Sequence, residues 1–338
     1  MRIGIMGATG YAGSELLRLG AAHPDMEIVI ATGESNAGKR VAEHVPALAA
    51  LYPSTVFAPT ASIFEESLDV VFVALPHGHS QGLVPDLLER GLQVVDLGAD
   101  FRLKDATAYD SWYGQPHAAP ALLASSVYGL VERHRKELVG ATLIAVPGCY
   151  PTASILALAP FLDAELIERR GIVVNALSGT SGAGRAPSDR LHFSRLSGNA
   201  EAYGLLLHRH TPEIQQELDA ELLFTPHLVA TSRGMLVTAY GRVCDPSLTT
   251  ESALDLLRAT YSDDPFVVVV EEPPSLKDPV GSNLCFVSAR VDARTGWLVA
   301  MSSIDNLIKG AAGQAIQAWN VANGRDETMG LPMTGVTP

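Results

Sequence analysis

The feature that most constrains the fold is the N-terminal segment, where a short apolar run passes through a glycine-rich turn into a helical pattern. The run Arg2 to Met6 is followed by glycines spaced three apart, and then by leucines at helical spacing between Ser14 and Ala22. A buried strand that turns tightly into a helix has this pattern. The chain therefore begins with the first half of a βαβ unit.

Three further apolar runs extend the same pattern. They cover Glu27 to Thr32, Val70 to Leu75 and Gln93 to Leu97, and a helical segment at Gly82 to Arg90 separates the last two. Strands that alternate with helices and are apolar throughout are typical of parallel sheets covered on both faces. We predict an α/β chain with an N-terminal Rossmann-type, doubly wound parallel sheet.

The pattern changes after Cys149, where longer strand-like runs dominate. These runs are Ile172 to Leu177, His227 to Tyr240, Phe266 to Val270, Asn283 to Val291 and Trp297 to Met301. Few helices separate the later ones, which favours a second α+β domain with a mostly antiparallel sheet. We expect a long functional loop from Ser181 to Thr211 and a helix from Asp305 to Trp319.

Composition narrows the function classes. The 338 residues are 47% hydrophobic, enough for two cores, and 24 basic against 37 acidic residues give a net charge of −13, which disfavours nucleic acid and anionic membranes. An uncharged stretch at 140–162 is long enough for a membrane span, but four Pro and Gly residues interrupt it. The three cysteines have no CxxC spacing, so we expect no metal site and a reduced, cytoplasmic protein with a small-molecule partner.

The glycine turn predicts dinucleotide binding. Glycines at 7, 10 and 13 let the backbone approach a pyrophosphate, and the N-terminus of the next helix attracts its charge. The G-x-x-G-x-x-G spacing departs from the usual G-x-G-x-x-G fingerprint, and a purely structural turn is the alternative. The position between a strand and a helix favours the dinucleotide.

The choice between NAD and NADP depends on the residues after the second strand. Glu34 is placed to bind a ribose hydroxyl, whereas Ser35, Lys39 and Arg40 are suited to a 2′-phosphate. A solvated loop is the third interpretation. The spacing favours NADP.

Cys149 is the candidate nucleophile. It lies in Val-Pro-Gly-Cys-Tyr-Pro-Thr, directly before an apolar helical pattern, and a thiolate is stabilised at a helix N-terminus. A buried structural cysteine is the alternative, but the flanking prolines indicate a sharp, exposed turn. Cys244 and Cys285 lack such a turn, and we interpret both as core residues.

Two histidines precede a predicted helix start at Thr211-Pro212-Glu213. His208 and His210 are candidates for a general base and a substrate contact, although structural histidines and a zinc site are alternatives. His77 and His79 follow a strand, which places them beside the cofactor. The glycine-rich segment 178–185 ends in Arg185 and suits an anionic ligand, a flexible turn being the other interpretation.

Nine segments in order resemble the N-acetyl-gamma-glutamyl-phosphate reductases, an arginine-biosynthesis family related to aspartate-semialdehyde dehydrogenase. The segments are GATGYAGSELLRL at 7–19, AGK at 37–39, ALPHGHS at 74–80, DLGADFRL at 96–103, WYGQPH at 112–117, PGCYPT at 147–152, SGAGR at 181–185, HRHTPEI at 208–214 and DNLIKGAAGQAIQAWN at 305–320. The family usually continues YGL with Pro-Glu, whereas this chain has Val131-Glu132, so the backbone there is expected to differ.

The resemblance implies a role for each matching residue. Cys149 would accept the acyl group, His210 would shuttle a proton, and His208 would orient substrate. The residues implied in NADP binding are Thr9, Gly10, Tyr11, Ala12, Gly13, Ser35, Lys39, Ala74, Leu75, Pro76 and His77, with Ser181, Gly182 and Asn306 near the nicotinamide. Arg102 and Arg185 would bind the substrate's phosphate and carboxylate. The terminal helix would return to the first domain, giving an NADP-binding domain of 1–147 plus about 305–338 and a catalytic and oligomerisation domain of 148–304.

The implied reaction is NADPH-dependent reduction of N-acetyl-gamma-glutamyl phosphate to the semialdehyde and phosphate through a cysteine thioester, by a homo-oligomer, a tetramer or a dimer. A related enzyme acting on aminoadipyl or aspartyl phosphate is the nearest alternative. The aminoadipyl enzymes carry Asn-Ala after the cysteine and lack the later arginine, so Tyr150, Pro151 and Arg185 favour the glutamyl substrate. A non-catalytic NADP sensor and a cysteine hydrolase are the remaining readings.

Overall fold

The computed structural model describes residues 1–336. The elements up to Pro147 are β1 Arg2–Met6, α1 Tyr11–Gly20, β2 Glu27–Ala31, α2 Val41–His44, β3 Val70–Val73, α3 Val84–Glu89, β4 Gln93–Asp96, α4 Thr107–Tyr113, β5 Val127–Tyr128, α5 Val131–Leu138 and β6 Leu143–Ala145.

The remaining elements follow from Gly148 onward. They are α6 Cys149–Asp163, β7 Ile172–Ser178, α7 Phe193–Leu196, β8 Ala200–Ala202, α8 His210–Leu218, β9 Leu222–Val229, β10 Met235–Arg242, α9 Thr250–Thr260, β11 Val267–Val269, β12 Cys285–Asp292, β13 Trp297–Ile304, a π-helical turn at Ile308–Ala312 and α10 Gly313–Ala322. In the described part of the chain, no helix combines the length and the apolar character needed to cross a membrane.

The chain forms two compact units. The first contains residues 1–147 and 311–331, and the second contains 148–310 and the tail that begins at Pro332. This division differs from the expected one near the C-terminus, because residues 305–310 and the tail lie in the second unit. The tail is held there by a hydrogen bond from the Asn283 N–H to the Pro332 carbonyl.

The first unit contains a six-stranded, wholly parallel sheet with strand order β2-β1-β3-β4-β6-β5. All four residues of β3 are buried, as expected for a strand covered on both faces. The chain reverses its direction of travel across the sheet between β1 and β3. At such a switch point the carboxyl ends of neighbouring strands leave a crevice for ligands. The predicted doubly wound parallel sheet is confirmed.

The second unit contains a seven-stranded mixed sheet with strand order β11-β12-β13-β10-β7-β9-β8. Two of its pairings, β11–β12 and β7–β9, are parallel, and the other four are antiparallel. Burial alternates along β7, β9 and β10, so one face is buried, and α6 packs on β10 and β13. The predicted second, mostly antiparallel α+β domain is confirmed.

Four local expectations were wrong. Cys244 was expected in the core but is exposed, because it lies beyond the end of β10 at Arg242. The run His227 to Tyr240 is two strands, because Gly234 turns the chain at a φ of 99° where a Cβ would lie 2.4 Å from Leu276. The segment Ser181 to Thr211 is not a bare loop, since it contains α7 and β8. The helix expected from Asp305 begins as the π-helical turn and becomes α-helical only at Gly313.

Candidate functional site

The glycine turn after β1 forms a close-packed cradle. Gly7 has a φ of 73°, and a Cβ on it would lie 2.4 Å from the Ala74 carbonyl oxygen. A Cβ on Gly13 would lie 2.3 Å from the Gly7 carbonyl oxygen, so α1 packs directly on the turn. The loops after β1 and β3 therefore meet at the switch point, next to the N-terminus of α1. This arrangement fits a dinucleotide, whose pyrophosphate needs close backbone approach and a helix N-terminus.

The loop after β2 holds both the acidic residue that would favour NAD and the residues that would favour NADP. The Glu34 carboxylate accepts a hydrogen bond from the Thr60 N–H at 3.0 Å, and this bonding lowers the pKa of Glu34. Ser35 and Lys39 are exposed, and Lys39 Nζ donates to Asn36 Oδ1 at 3.1 Å. Because the carboxylate is bound to Thr60 while the cation and hydroxyl are exposed, this loop is better suited to a 2′-phosphate than to a ribose diol.

A buried carboxylate pair holds the loop that follows β3. Asp100 accepts hydrogen bonds from the backbone N–H groups of Gly78 and Gln81 at 2.7 and 3.2 Å, and Ser80 Oγ lies 2.8 Å from Asp100 and 3.1 Å from Asp96. Burial and the neighbouring charge of Asp100 raise the pKa of Asp96 to about 7. The Ser80 hydroxyl has one proton and can donate it to only one of the two carboxylates at a time. A proton on Asp96 supplies the second hydrogen bond.

We expect Asp96→Asn to make the protein less sensitive to alkaline pH. Between the ordinary pKa of an aspartate and about 7, the folded Asp96 holds a proton that the unfolded chain has lost, so the free energy of unfolding falls as pH rises. Asparagine mimics the protonated form. Relative to the parent, the variant should gain about 2 kcal/mol between about pH 5 and pH 8, measured by urea unfolding.

The matched control for Asp96→Asn is Glu89→Gln, which removes an exposed carboxylate at the end of α3. It should unfold with the parent's pH dependence. If Asp96→Asn and the parent differed by the same free energy at both pH values, Asp96 would not titrate in this interval.

Arg102 and His77 also lie in the first unit. Arg102 is buried, and its Nη2 donates to the Leu97 carbonyl at 3.0 Å, just after β4. His77 is exposed, with its ring 5.9 Å from the Tyr113 ring. Arg102 therefore lies at the carboxyl edge of the sheet, close to Asp96 and Asp100, and its assignment to the substrate stays a prediction.

Cys149 is the first residue of α6, after an extended N-cap residue, Gly148. Its side chain is partly exposed, whereas the following residues Tyr150 to Leu162 are buried. The helix dipole stabilises negative charge at this position. The Gly148 N–H donates to Glu213 Oε1 at 2.8 Å, and Glu213 is fully buried. The turn that carries Cys149, the candidate nucleophile, is thus bonded directly to α8.

The start of α8 differs from the expectation. The helix begins at His210 rather than after Thr211, and its N-cap residue, Arg209, has helical dihedral angles with no side-chain capping bond. Glu213 therefore does not serve as a solvent-facing acid in the first turn. It lies one turn after His210 on the same helix, and its bond to Gly148 brings His210 and the Cys149 turn together.

His208 is enclosed by aromatic rings. Its ring centroid lies 5.5 Å from Tyr150, 5.6 Å from Tyr203, 5.3 Å from Phe224 and 4.9 Å from His210. Burial, with the nearby Arg209 charge, lowers the pKa of His208 to about 4. Its Nδ1 lies 3.2 Å from the His210 N–H and accepts that hydrogen bond. At neutral pH His208 is therefore uncharged, with its proton on Nε2.

The ring of Tyr150 forms the wall shared by both histidines. It lies 5.8 Å from the His210 ring, and its hydroxyl is 2.9 Å from the Tyr203 hydroxyl. Burial raises the pKa of Tyr150 far above its ordinary value and that of Tyr203 to about 12. Both phenols therefore stay neutral and supply hydrogen bonds rather than charge.

The loop carrying Ser181 and Gly182 is held by Asn306. Asn306 Nδ2 donates to Ser181 Oγ at 2.9 Å, and its Oδ1 accepts from the Gly234 N–H at 2.9 Å. The Ser181 N–H also donates to the Ser232 carbonyl. The loop is therefore fixed rather than flexible, and Arg185 lies exposed just beyond it.

The structure thus gathers Cys149, His208 and His210 in the second unit. The residues expected to bind NADP lie in the first unit, except Ser181, Gly182 and Asn306, which lie in the second. Within residues 1–336, no group of three or more His, Cys, Asp and Glu side chains is arranged to hold a metal ion.

Sequence reasoning missed four acidic residues around the site: Asp96, Asp100, Glu213 and Asp305. All four are buried. All four lie inside the segments that carry the family resemblance, but a carboxylate that accepts backbone hydrogen bonds has no signature of its own in a single sequence. The signal that would have found them is an acidic residue in an otherwise apolar or glycine-rich segment.

Comparison with known proteins agrees with this architecture. Residues 2–141 match the family model described as "Semialdehyde dehydrogenase, NAD binding domain", and residues 149–306 match "Semialdehyde dehydrogenase, dimerisation domain". The solved structure of aspartate semialdehyde dehydrogenase II from Vibrio cholerae superposes with a TM-score of 0.71 at 18% identity, covering 95% of this chain and 97% of that one. At this identity the likeness shows the fold.

Curated relatives are much more similar in sequence. N-acetyl-gamma-glutamyl-phosphate reductase from Dehalococcoides mccartyi is 45% identical over 344 residues, with 100% of this chain and 99% of the relative covered. The protein of the same name from Pelotomaculum thermopropionicum is 44% identical over 346 residues, with the same coverage. At this identity over the full length, the chain belongs to the N-acetyl-gamma-glutamyl-phosphate reductase family.

Proposed function

We propose that this protein reduces N-acetyl-gamma-glutamyl phosphate with NADPH, giving N-acetylglutamate 5-semialdehyde and phosphate, a step of arginine biosynthesis. The observation that carries the proposal is the bond between the Gly148 N–H and Glu213, which joins a cysteine at a helix N-terminus to the helix that begins with His210. A thiol at a helix N-terminus, on a turn bonded to a helix that carries an imidazole, is suited to acyl transfer.

Acyl transfer begins at Cys149. Its thiolate attacks the acyl carbon, the carbon–oxygen bond to phosphate breaks, and inorganic phosphate leaves with the bonding electron pair. A thioester to Cys149 remains. Arg102 and Arg185 are our candidates for the anionic groups of the substrate, because a guanidinium binds phosphate or carboxylate in a bidentate manner.

The glycine cradle and its neighbouring loops would hold the cofactor, and Ser35 and Lys39 would bind its 2′-phosphate. When bound, NADPH supplies the hydride that reduces the thioester carbonyl. His210 donates a proton to the resulting oxyanion and accepts one as the Cys149 thiohemiacetal collapses to aldehyde and thiolate. His208, neutral and protonated on Nε2, donates a hydrogen bond that orients the substrate.

The reverse reaction provides the test. Purified protein is mixed with N-acetylglutamate semialdehyde, phosphate and NADP, and NADPH formation is followed by absorbance. We expect turnover that requires phosphate and prefers NADP to NAD. Aspartate semialdehyde and the one-carbon-longer aminoadipate analogue are run in parallel. Turnover of only one of these two compounds would show that the protein is a semialdehyde dehydrogenase with a different substrate. Turnover of none of the three would overturn the proposal.

We further propose that the protein forms a homo-oligomer through its second unit. The sheet face away from α6 carries the apolar pairs Val173–Leu223 and Leu177–Leu236 on adjacent strands, and Leu223 is 47% exposed. The family model covering this unit is described as a dimerisation domain. Sedimentation velocity should show a dimer or tetramer, and Leu223→Asp should shift the protein toward monomer. A monomeric parent would contradict the proposal.

A further inference from the structure

The backbone after β13 makes an unusually wide turn next to the nucleophile. Residues Ile308–Ala312 are π-helical, and the Gly310 N–H donates to the Asp305 carbonyl five residues earlier, at 2.9 Å. π-helical turns are rare, and when they occur they are frequently found at functional sites. The turn brings the backbone of Gly310 against α6.

Gly310 lies directly on Cys149. A Cβ on Gly310 would be 2.7 Å from the Cys149 Cβ, 3.2 Å from the Cys149 Cα and 3.2 Å from Ile304 Cδ1. The first two of these atoms are the Cβ and Cα of Cys149, which cannot move aside as the end of a flexible side chain can. A side chain at position 310 would therefore displace either the turn or Cys149.

Asp305 anchors the turn at its start. The side chain is fully buried; its Oδ1 accepts from the N–H groups of Leu307 and Ile308 at 2.8 and 3.2 Å, and its Oδ2 accepts from Arg233 Nη1 at 3.2 Å and the Gly281 N–H at 2.9 Å. Each carboxylate oxygen accepts two hydrogen bonds, and these bonds hold the start of the turn in place next to Cys149.

We propose that Gly310 is a positioning residue for Cys149: its missing side chain lets the anchored π-helical turn pack against the Cα and Cβ of the nucleophile and fix where the sulfur points. The inference rests on the proposed function only in taking Cys149 as the nucleophile. A displacement of the sulfur by about 1 Å is enough to cost about 100-fold in rate.

The test is Gly310→Ala, measured in two independent ways. We expect kcat to fall about 10- to 100-fold with the Kd for NADPH, from its fluorescence, within about twofold of the parent. We also expect the rate of Cys149 alkylation by iodoacetamide to change at least about fivefold across pH, while the exposed Cys244, quantified in the same peptide digest, reacts at the parent's rate.

The matched control is Gly20→Ala in α1, where the added methyl group would meet only flexible side chains, with Ile28 Cδ1 at 3.1 Å and Met26 Sδ at 3.7 Å as the nearest atoms of each. It should leave both measurements unchanged. If Gly310→Ala does not fold, Asp305→Asn takes its place: the amide keeps the size of the anchor but loses the charge facing Arg233, and a smaller change in the same direction is expected.

A folded Gly310→Ala protein with the parent's kcat and alkylation profile would overturn the proposal. If Gly310→Ala does not fold, a folded Asp305→Asn protein with the parent's kcat and alkylation profile would overturn it instead. The alkylation measurement needs no substrate. If the parent lacked reductase activity, the proposed function would fail, while the effect of Gly310 on Cys149 would still be decided.

Discussion

Cys149→Ala is expected to abolish the phosphate-dependent reduction of NADP by N-acetylglutamate semialdehyde, with a fall in kcat of at least about 10⁴-fold. The reason is that Cys149 is the proposed acyl acceptor: its thiol stands at the first position of α6, where the helix dipole favours the ionised form. The variant should still bind NADPH as the parent does, because the glycine cradle lies on the first unit.

The matched control is Cys244→Ala, which removes an exposed thiol from the same unit and should keep full activity. Mass spectrometry after mixing parent protein with the acyl phosphate, without cofactor, should show an acyl adduct on Cys149. Residual activity in Cys149→Ala above about a hundredth of the parent's value would contradict a thioester mechanism.

His210→Asn is expected to lower kcat by about 10²- to 10⁴-fold, the range for loss of a general acid–base group. It should also remove one inflection from the pH dependence of kcat/KM. Asparagine keeps a polar group of similar reach at the N-terminus of α8, so the bond between Glu213 and Gly148 should survive.

His208→Gln is the comparison that separates the two histidines. Because His208 is neutral and accepts the His210 N–H through Nδ1, glutamine can retain an acceptor and a donor there. We expect a higher KM for the semialdehyde, a smaller loss of kcat and an unchanged pH inflection. If instead His208→Gln removed the inflection and His210→Asn left it in place, the two roles would be reversed.

The local periodicity of the chain predicted the type of both sheets but missed the short strands β5, β6 and β8. Continuous apolar runs such as Val70 to Val73 indicate strands buried on two faces, and the alternating burial along β7 and β10 follows from the period of a strand with one buried face. Where a polar turn interrupted a run, as at Gly234, the same reasoning failed, because one glycine weighs little in a window average.

The parts of the candidate site that short-range sequence patterns encode were predicted, and the rest were not. Cys149 was identified because proline and glycine flank it, and the cradle because glycines recur beside a strand, which are both short-range patterns. The bond from Gly148 to Glu213 joins residues 65 positions apart, and the contact of Gly310 with Cys149 joins residues still more distant. No local pattern encodes such pairs.

The sequence by itself determined the identity of the chemical groups and the position of the long apolar strands, since both depend on neighbours along the chain. Only the tertiary structure decided the state of each group. Burial among aromatic rings keeps His208 neutral, and a hydrogen bond from the Thr60 N–H occupies the Glu34 carboxylate. Glu213 and Asp305 are buried and accept hydrogen bonds from backbone N–H groups. Burial, hydrogen bonding and close packing act between residues brought together by folding, and these set protonation state and position.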